Sequence, residues 1–331
     1  MRIDSDPAIA DYLFTAVVNE ITYLREGVEA FVELEESEAG PSELYHRVLG
    51  AVHQLCASIV ACEEAGLARE QIVRVLEPVR RIHARSDFVR RLQEWPRGYP
   101  GDFETVEYLC DGRSRAEQGT IEDICETYSL TRSIAQQHRN KVQHQAARIM
   151  RTLLASPGTA RVFSVACGSC PDFRQIAAHL PSLLGELWLN DSDPEALMFS
   201  ARALAAIHDR THLRPGNAIK VVRKTAQLGP IFDLVLAGGL FDYLPEKQAV
   251  YLIEHAWSMV KPGGVFFFTN IAKGNPYRPL IEYFGDWFLI ERTEEDVLRC
   301  CEAAGIPREA VSITREETGL TLLIEVQRRR E

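Results

Sequence analysis

The stretch Arg161-Val-Phe-Ser-Val-Ala-Cys-Gly-Ser-Cys-Pro-Asp172 is the part of the chain that decides the fold. Its apolar, β-branched run at 162–165 is typical of a buried parallel strand. Small residues follow around Gly168, and a helical pattern extends over 172–180. Strand, small-residue turn and helix form the opening unit of a nucleotide-binding α/β domain, because few side chains at such a turn separate the backbone from a ligand. We therefore predict a cofactor-binding loop centred on Gly168.

The overall composition favours a two-domain globular protein. The chain has 331 residues, of which 46% are apolar and 25% charged. Its net charge of −10 argues against nucleic acid or an anionic membrane as the main partner, since both attract basic surfaces. No apolar run approaches the roughly 18 residues of a membrane span, and residues 1–6 lack the apolar core of a signal peptide. A cytoplasmic protein that is not inserted in a membrane is expected.

The eight cysteines are expected to be reduced thiols, because the chain is large and carries no secretion signal. Cys167 and Cys170 match the C-x-x-C pattern of redox pairs and half zinc sites. No second pair of this kind, and no well-spaced histidine pair, completes a metal site. Small residues lining a tight turn are the favoured interpretation, and no metal site is predicted.

Residues 1–150 are predicted to form an all-α domain. Apolar residues recur at three- and four-residue steps in three windows, 11–24, 42–59 and 70–88. Pro78 is expected to kink or divide the third of these helices. A further helical stretch is predicted over 121–150. These patterns are explained by a helical bundle that packs on the other domain, and they indicate no catalytic role for the helices.

Two features of this helical half suggest a second interpretation. Residues 95–105 hold two prolines and two glycines, so a loop is predicted there. It is either a packed connection in which Asp102 caps a helix over 103–110, or a lid that faces the cofactor. Polar residues at 139–144 precede the first strand, and they form either a solvated helix face or part of the surroundings of the cofactor loop.

Residues 151–331 are predicted to form the α/β domain. Strands are expected at 185–190, at the approach to 214–217, at 231–237 and at 265–270, with a terminal hairpin of 311–315 and 320–326. Asp191 lies 23 residues after Gly168, near the roughly 20-residue spacing at which a carboxylate meets a ribose. The segment 238–245 follows a strand at its carboxyl end, where open α/β sheets bind ligands.

This second half resembles the class I S-adenosylmethionine (SAM) dependent methyltransferases. The resemblance is carried by five motifs in order: Val165-Ala-Cys-Gly-Ser-Cys170, Asn190-Asp-Ser-Asp-Pro-Glu195, Gly216-Asn217, Phe232-Asp-Leu-Val-Leu236 and Val260-Lys-Pro-Gly-Gly264. It implies a Rossmann-like methyltransferase sheet with SAM as cofactor. It also implies a set of cofactor residues: Ala166 and Gly168 at the methionine end, Asp191 with Ser192 at the ribose, Asn217 at the adenine, and Ala237 and Gly238 after the fourth strand.

The sequence departs from the family in the first loop. Ser164 stands where an acidic residue is usual, and Ala166 and Cys170 replace two glycines. The methionine end is therefore expected to be held differently, with Arg97 or Arg139 at its carboxylate and Asp102 or Glu104 at its ammonium group.

A finer resemblance covers most of the chain. Gly-Tyr-Pro-Gly-Asp-Phe-Glu-Thr at 98–105, Arg-Asn-Lys at 139–141 and the Ala-Cys-Gly-Ser loop are similar to a bacterial group around 3-hydroxypalmitate methyl ester synthesis, and to the azetidine-2-carboxylate synthases. Six residues are predicted to wall the reaction site: Tyr99, Tyr128, Asn140, Asp242, Tyr243 and Asn270.

Three functions follow from these resemblances. The first is methyl transfer to a small or lipid-like acceptor, as in secondary or signal metabolism. The second is cyclisation of SAM itself to azetidine-2-carboxylate and methylthioadenosine. The third and least favoured is a non-catalytic SAM-binding regulator. The partner is expected to be a small molecule, and a homodimer is left open.

Overall fold

The computed structural model describes residues 7–329, with side chains from residue 17 onward. The chain forms two compact units, and each is assembled from several segments. Within the described residues, the helical unit contains 7–101, Gly112–Arg132 and Pro276–Phe288, and the sheet unit contains Asp102–Asp111, Ser133–Asn275 and 289–329. This division does not follow the single boundary predicted at residue 150. Two segments before that residue group with the sheet, and one segment after it groups with the helices.

The described residues contain fourteen α-helices. They are α1 Pro7–Val32, α2 Pro41–Glu64, α3 Arg69–His83, α4 Asp87–Glu94, α5 Phe103–Asp111, α6 Ile121–Thr131, α7 Ser133–Ala155, α8 Pro171–Gln175, α9 Leu180–Leu183, α10 Pro194–Ala203, α11 Ala218–Ala226, α12 Glu246–Ser258, α13 Arg278–Phe284 and α14 Glu294–Ala303. None of the helices within residues 7–329 is long and apolar enough to cross a membrane.

Seven strands form one sheet in the described residues. They are β1 Ala160–Ser164, β2 Leu184–Asp191, β3 Thr211–Pro215, β4 Phe232–Ala237, β5 Val260–Ile271, β6 Val311–Arg315 and β7 Thr321–Gln327. Their order is β3-β2-β1-β4-β5-β7-β6, and β7 alone runs antiparallel to its neighbours. This arrangement confirms the predicted Rossmann-like methyltransferase sheet and its terminal hairpin.

The helical unit is held by apolar faces of the predicted periodicity. Leu24, Val48, Leu55 and Ile72 are fully buried in its core. The predicted helix over 70–88 is divided, but not at Pro78, which lies inside α3. The division falls at Ser86, whose hydroxyl oxygen accepts the Val89 N–H at 3.1 Å and so begins α4.

The aromatic-rich segment around α13 belongs to this helical unit and is fixed to it by ion pairs. The Glu63 carboxylate on α2 accepts hydrogen bonds from the Tyr283 hydroxyl at 2.7 Å and from Arg278 at 3.0 Å. Arg69 and Arg80 on α3 each contact one oxygen of the Asp286 carboxylate at 2.6 Å. Opposite charges therefore hold a segment that is distant in sequence against α2 and α3.

The sheet is covered on both faces, as the near-continuous apolar strands predict. Val162 and Phe163 are both fully buried, and they belong to different core clusters on opposite faces of β1. The Phe163 ring stacks on Phe232 of β4 with centroids 5.4 Å apart. Strand β5 is longer than predicted, because it begins at Val260 and includes the Pro-Gly-Gly sequence.

The predicted helix over 121–150 is also divided. Arg132 has an extended backbone, with φ −69° and ψ 160°, and it separates α6 from α7. Helix α6 belongs to the helical unit and α7 to the sheet unit. The predicted helix after the first strand is divided as well, into α8, a 3₁₀ turn at Ala177–His179 and α9.

Candidate functional site

The loop after β1 has an unusual backbone. Ala166, Gly168 and Cys170 have φ values of 49°, 54° and 51°, in the left-handed region. Glycine adopts this conformation readily, whereas a residue with a Cβ atom is strained there. Ala166 and Cys170 therefore keep the backbone conformation expected of the glycines that they replace. The loop has a glycine-like path without the glycine sequence.

Asp191, at the end of β2, holds this loop. One oxygen of its carboxylate accepts the Gly168 N–H at 2.8 Å, and the other accepts the Asp193 N–H at 2.9 Å. The side chain is buried, and burial raises the pKa of the Asp191 carboxyl, although the backbone donors oppose that shift. Each carboxylate oxygen has two acceptor positions, so the group retains capacity for further donors such as hydroxyls.

The loop after β3 is attached to the same edge of the sheet. The buried Asn190 side chain donates to the backbone oxygens of Arg214 and Gly216, both at 2.8 Å. Asn217 follows, and its side-chain oxygen accepts the Lys220 N–H at 3.3 Å, which caps α11. Ser192, in the loop after β2, is exposed. The residues predicted at ribose and adenine thus follow adjacent strands at their carboxyl ends.

Helix α5 contacts the loop within the sheet unit. The Ser169 hydroxyl donates to the Glu107 carboxylate at 2.5 Å, and Arg174 of α8 pairs with the same carboxylate. A Cβ atom added at Gly168 would lie 3.9 Å from Cβ of Phe103. The predicted cap of this helix is confirmed, because the Asp102 carboxylate accepts the Thr105 N–H at 2.9 Å.

The end of β4 is packed closely against α7. Ala237 is buried, and the Gln145 side chain donates to the Gly238 backbone oxygen at 3.2 Å. A Cβ atom at Gly238 would lie only 2.4 Å from the Gln145 amide nitrogen. A side chain at position 238 would therefore have to displace the Gln145 amide and break its hydrogen bond to the Gly238 backbone oxygen.

The turn after β4 carries Asp242 and is fixed by a buried arginine. Arg292 donates to the backbone oxygens of Phe241 and Leu244 and to the Asn270 side-chain oxygen, at 2.8, 2.5 and 2.5 Å. One Asp242 oxygen accepts the Ile271 N–H at 2.6 Å. Burial raises the pKa of the Asp242 carboxyl, opposed by the positive charge of Lys141. Tyr243, beside it, is 36% exposed.

Helix α7 contributes three polar residues to this edge. The Arg139 guanidinium donates to the Leu109 backbone oxygen at 2.8 Å and to the Gln136 side-chain oxygen. Asn140 donates to the Glu316 carboxylate at 2.8 Å. Asn140 and Lys141 are 8% and 5% exposed, so their interpretation as a solvated helix face is wrong.

Glu316 holds the β6–β7 turn beneath Asn140. Its carboxylate accepts N–H groups from Thr318, Leu320 and Thr321 at 2.8, 2.9 and 3.2 Å. Burial opposes ionisation of this group, but the donors outweigh it and lower its pKa.

The predicted site residues are divided between the two units. Thirteen of the sixteen lie in the sheet unit, and Arg97, Tyr99 and Tyr128 lie in the helical unit. Tyr128 is 1% exposed in the helical core, and the Arg132 guanidinium lies 5.1 Å from the centre of its ring. The ligand contacts of all sixteen residues remain predictions.

Sequence reasoning missed four residues that organise the sheet-unit site: Glu107, Gln145, Arg292 and Glu316. Each acts through hydrogen bonds to segments far away in sequence, so no local motif marks it. The sequence holds one signal for Gln145. It lies four residues after Lys141, so the two polar side chains share one face of the helix before β1.

Two of the eight cysteines, Cys167 and Cys170, lie in the loop after β1. All eight are free thiols, and a hydrogen bond to Cys170 together with burial raises the pKa of the Cys167 thiol. Within the described residues, no group of three or more His, Cys, Asp and Glu side chains is arranged to hold a metal ion.

Comparison with known proteins shows which solved structures have a similar fold. No family model matches the chain, and no curated protein matches it. Among solved structures, a protein of Bordetella parapertussis described as a possible exported protein is similar over 96% of this chain and 97% of its own, with 15% identity and a TM-score of 0.58. At that identity the likeness concerns the fold alone.

Two methyltransferase structures give weaker matches. The apo form of the SAM-dependent methyltransferase SibL is 15% identical over 98% of this chain and 99% of its own, with a TM-score of 0.47. Magnesium protoporphyrin IX methyltransferase from Synechocystis PCC 6803, with bound S-adenosylhomocysteine, is 16% identical over 60% of this chain and 88% of its own, with a TM-score of 0.43.

Proposed function

We propose that the protein is a SAM-dependent transferase that methylates a small molecule. The observation that carries the proposal is the hydrogen bond from the Gly168 N–H to the Asp191 carboxylate at 2.8 Å. It joins a small-residue loop after β1 to an acid after β2, at the carboxyl edge of a methyltransferase-type sheet. Open α/β sheets bind nucleotides at this edge.

The residues present fit SAM. The left-handed positions at Ala166, Gly168 and Cys170 keep the loop backbone open to a ligand, as glycines would. Asp191 has acceptor capacity for ribose hydroxyls, and Asn217 is exposed at the loop after β3. Ser192 is exposed beside Asp191, and Ala237 and Gly238 end β4. These residues would hold the nucleoside, and the segment after Gly238 would border the transferred carbon.

When bound, SAM supplies an electrophilic methyl group on a sulfonium centre. The protein then has to align an acceptor and exclude water. Arg292 is suited to the first task, because its three hydrogen bonds fix the turn at Phe241–Tyr243 and so fix Asp242. Among the described contacts only one Asp242 oxygen accepts a hydrogen bond, so the other is a candidate to accept a hydrogen bond from the acceptor.

The methionine end requires charged partners other than an acid at the end of β1. Ser164 occupies that position and is buried. Arg139 is one candidate, since its guanidinium lies on α7 in the sheet unit. Asp102 and Arg97 stay candidates from the sequence, although Asp102 also caps α5. Tyr99, Tyr128, Asn140, Tyr243 and Asn270 stay proposed walls of the site.

Product analysis tests this function. The purified chain is incubated with SAM alone and with pooled small-molecule extracts, and nucleoside products are separated by mass. Methyl transfer predicts S-adenosylhomocysteine that appears only when an acceptor is present. Methylthioadenosine formed from SAM alone would instead establish the cyclase, provided that heat-denatured protein gives none.

A further inference from the structure

Lys141 is a buried residue of α7 whose ammonium group has no partner within the described part of the chain. It is 5% exposed, and no hydrogen bond or ion pair to its Nζ atom is present among residues 17–329. The Nζ atom lies beside the loop after β4, 3.5 Å from where a Cβ atom at Gly239 would stand. The Nζ atom itself is not fully enclosed, but an ammonium group that is largely removed from water and unpaired is costly. A negatively charged group of a bound ligand would pair with the ammonium and remove that cost.

The charges around Lys141 belong to α5, to the turn after β4 and to the β6–β7 turn. They are the Asp242 and Glu316 carboxylates, which favour the charged form of Lys141, and the Cys110 thiol, which would do so only when deprotonated; burial raises the pKa of that thiol to about 11. Burial has the larger effect and lowers the Lys141 pKa. Glu316 is already engaged by three backbone N–H groups and by Asn140.

Asp242 complements Lys141 across this edge. It is 7% exposed, and one of its oxygens accepts the Ile271 N–H at 2.6 Å. Among the described contacts, its second oxygen has no donor. The two opposite charges influence each other's pKa without forming a direct ion pair. The Lys141 ammonium and the Asp242 carboxylate are therefore separate, and each can form further hydrogen bonds.

We propose that Lys141 and Asp242 bind the head group of an α-amino acid. The Lys141 ammonium would hold its carboxylate, and the Asp242 carboxylate would hold its ammonium. A zwitterion satisfies both residues, whereas a simple anion would face Asp242 unpaired and a simple cation would face Lys141 unpaired. The proposal deepens the proposed function, on which it rests. The amino acid is either the methionine end of SAM or an amino-acid acceptor.

The first arm of the test compares nucleosides with and without the amino-acid end. S-adenosylhomocysteine and methylthioadenosine are titrated calorimetrically into the wild-type chain and into Lys141→Met and Asp242→Asn. If the pair holds the methionine end, both variants bind S-adenosylhomocysteine at least tenfold more weakly and bind methylthioadenosine unchanged. A tenfold loss is the low end of what one charge-assisted hydrogen bond provides.

The second arm tests the acceptor. The common L-amino acids are screened for a rise in melting temperature, with and without S-adenosylhomocysteine. If the pair holds an acceptor, at least one amino acid stabilises the wild-type chain and neither variant. Its N-acetyl and amide derivatives, which each lack one charge, should fail as well. Lys224→Met, at an exposed position of α11, is the matched control and should behave as wild type.

Several results would overturn the proposal. Equal weakening of both nucleosides in Lys141→Met, with a lower melting temperature, would show a structural lysine. Unchanged nucleoside binding, with no amino acid that distinguishes the variants from wild type, would also overturn it. If the wild-type chain binds neither nucleoside, the proposed function is wrong. The amino-acid screen without nucleoside then tests by itself whether Lys141 and Asp242 bind an amino acid.

Discussion

The Asp191 carboxylate accepts the Gly168 N–H at 2.8 Å, which joins the ends of β1 and β2 through one side chain. The same carboxylate accepts the Asp193 N–H at 2.9 Å. The loop proposed to contact the methionine end of SAM and the loop proposed to contact its ribose therefore share one anchor. A change at Asp191 should affect both the shape of the cofactor loop and the ribose contact.

We expect Asp191→Asn to weaken binding of S-adenosylhomocysteine roughly 10- to 100-fold, because hydrogen bonds to a charged group contribute about 1.5–3 kcal/mol. Asparagine retains one acceptor oxygen, so it disturbs the loop less than alanine does. Calorimetric titration measures the change, and Asp209→Asn, at an exposed position, serves as the control. Undiminished affinity in a folded Asp191→Asn chain would refute the ribose assignment.

Gly238→Ala should destabilise the protein by about 0.5–1.5 kcal/mol, because the added Cβ atom displaces the Gln145 amide and breaks its hydrogen bond to the Gly238 backbone oxygen. The added Cβ atom would lie 2.4 Å from the Gln145 amide. Urea unfolding of both single variants and of Gly238→Ala with Gln145→Ala measures the coupling. The double variant should lose less than the two single losses combined, whereas simple additivity would contradict the predicted clash. Gly50→Ala, where no atom lies within 4 Å, is the control without a clash, and it should raise stability by up to about 1 kcal/mol because alanine replaces glycine inside α2.

Ala166→Gly should leave stability unchanged or raise it by up to about 1 kcal/mol. Ala166 has a φ of 49°, where a Cβ atom costs about 1–2 kcal/mol, and the greater freedom of glycine in the unfolded chain offsets part of the gain. Ala57→Gly on the exposed face of α2 should instead cost about 1 kcal/mol. Unfolding free energies from urea denaturation test the contrast, and equal losses at both positions would argue against the left-handed conformation.

Asp172 should make stability depend on pH. Burial raises the pKa of its carboxyl from 3.8 to about 6. The folded chain therefore binds the proton more tightly than the unfolded chain. The free energy of unfolding should then fall as the pH rises from about 4 to about 6, by on the order of 3 kcal/mol.

Asp172→Asn should remove this dependence and leave the variant more stable than wild type above pH 6. Urea unfolding of both chains at several pH values measures the difference, in which contributions from other groups cancel. A difference that does not vary with pH would contradict the raised pKa.

The fold was largely predictable because strand patterns and loop motifs are local in sequence. The run at 162–165 and the hairpin strands near 311 and 321 could be identified from alternation and turn residues alone. The division of the chain could not, because it depends on which helix faces meet. Helix α7 precedes β1 yet groups with the sheet, and α13 follows β5 yet groups with the helices.

The candidate site was less predictable for the same reason. Asp191 has a characteristic spacing from Gly168, whereas Arg292 and Glu316 act on segments 22 to 176 residues away. Lys141 resembles an ordinary surface lysine in the sequence, and only its 5% exposure distinguishes it. Long-range hydrogen bonds of this kind leave no pattern in a single sequence.

The central claim is that the loop at Ala166–Cys170 and Asp191 bind SAM, and direct titration of the wild-type chain tests it most directly. Calorimetry with S-adenosylhomocysteine, followed by competition with SAM, should show saturable binding of one ligand per chain. The dinucleotide NAD, which occupies other Rossmann-like sheets, should not compete. Failure to bind S-adenosylhomocysteine, or displacement of it by NAD, would contradict the account.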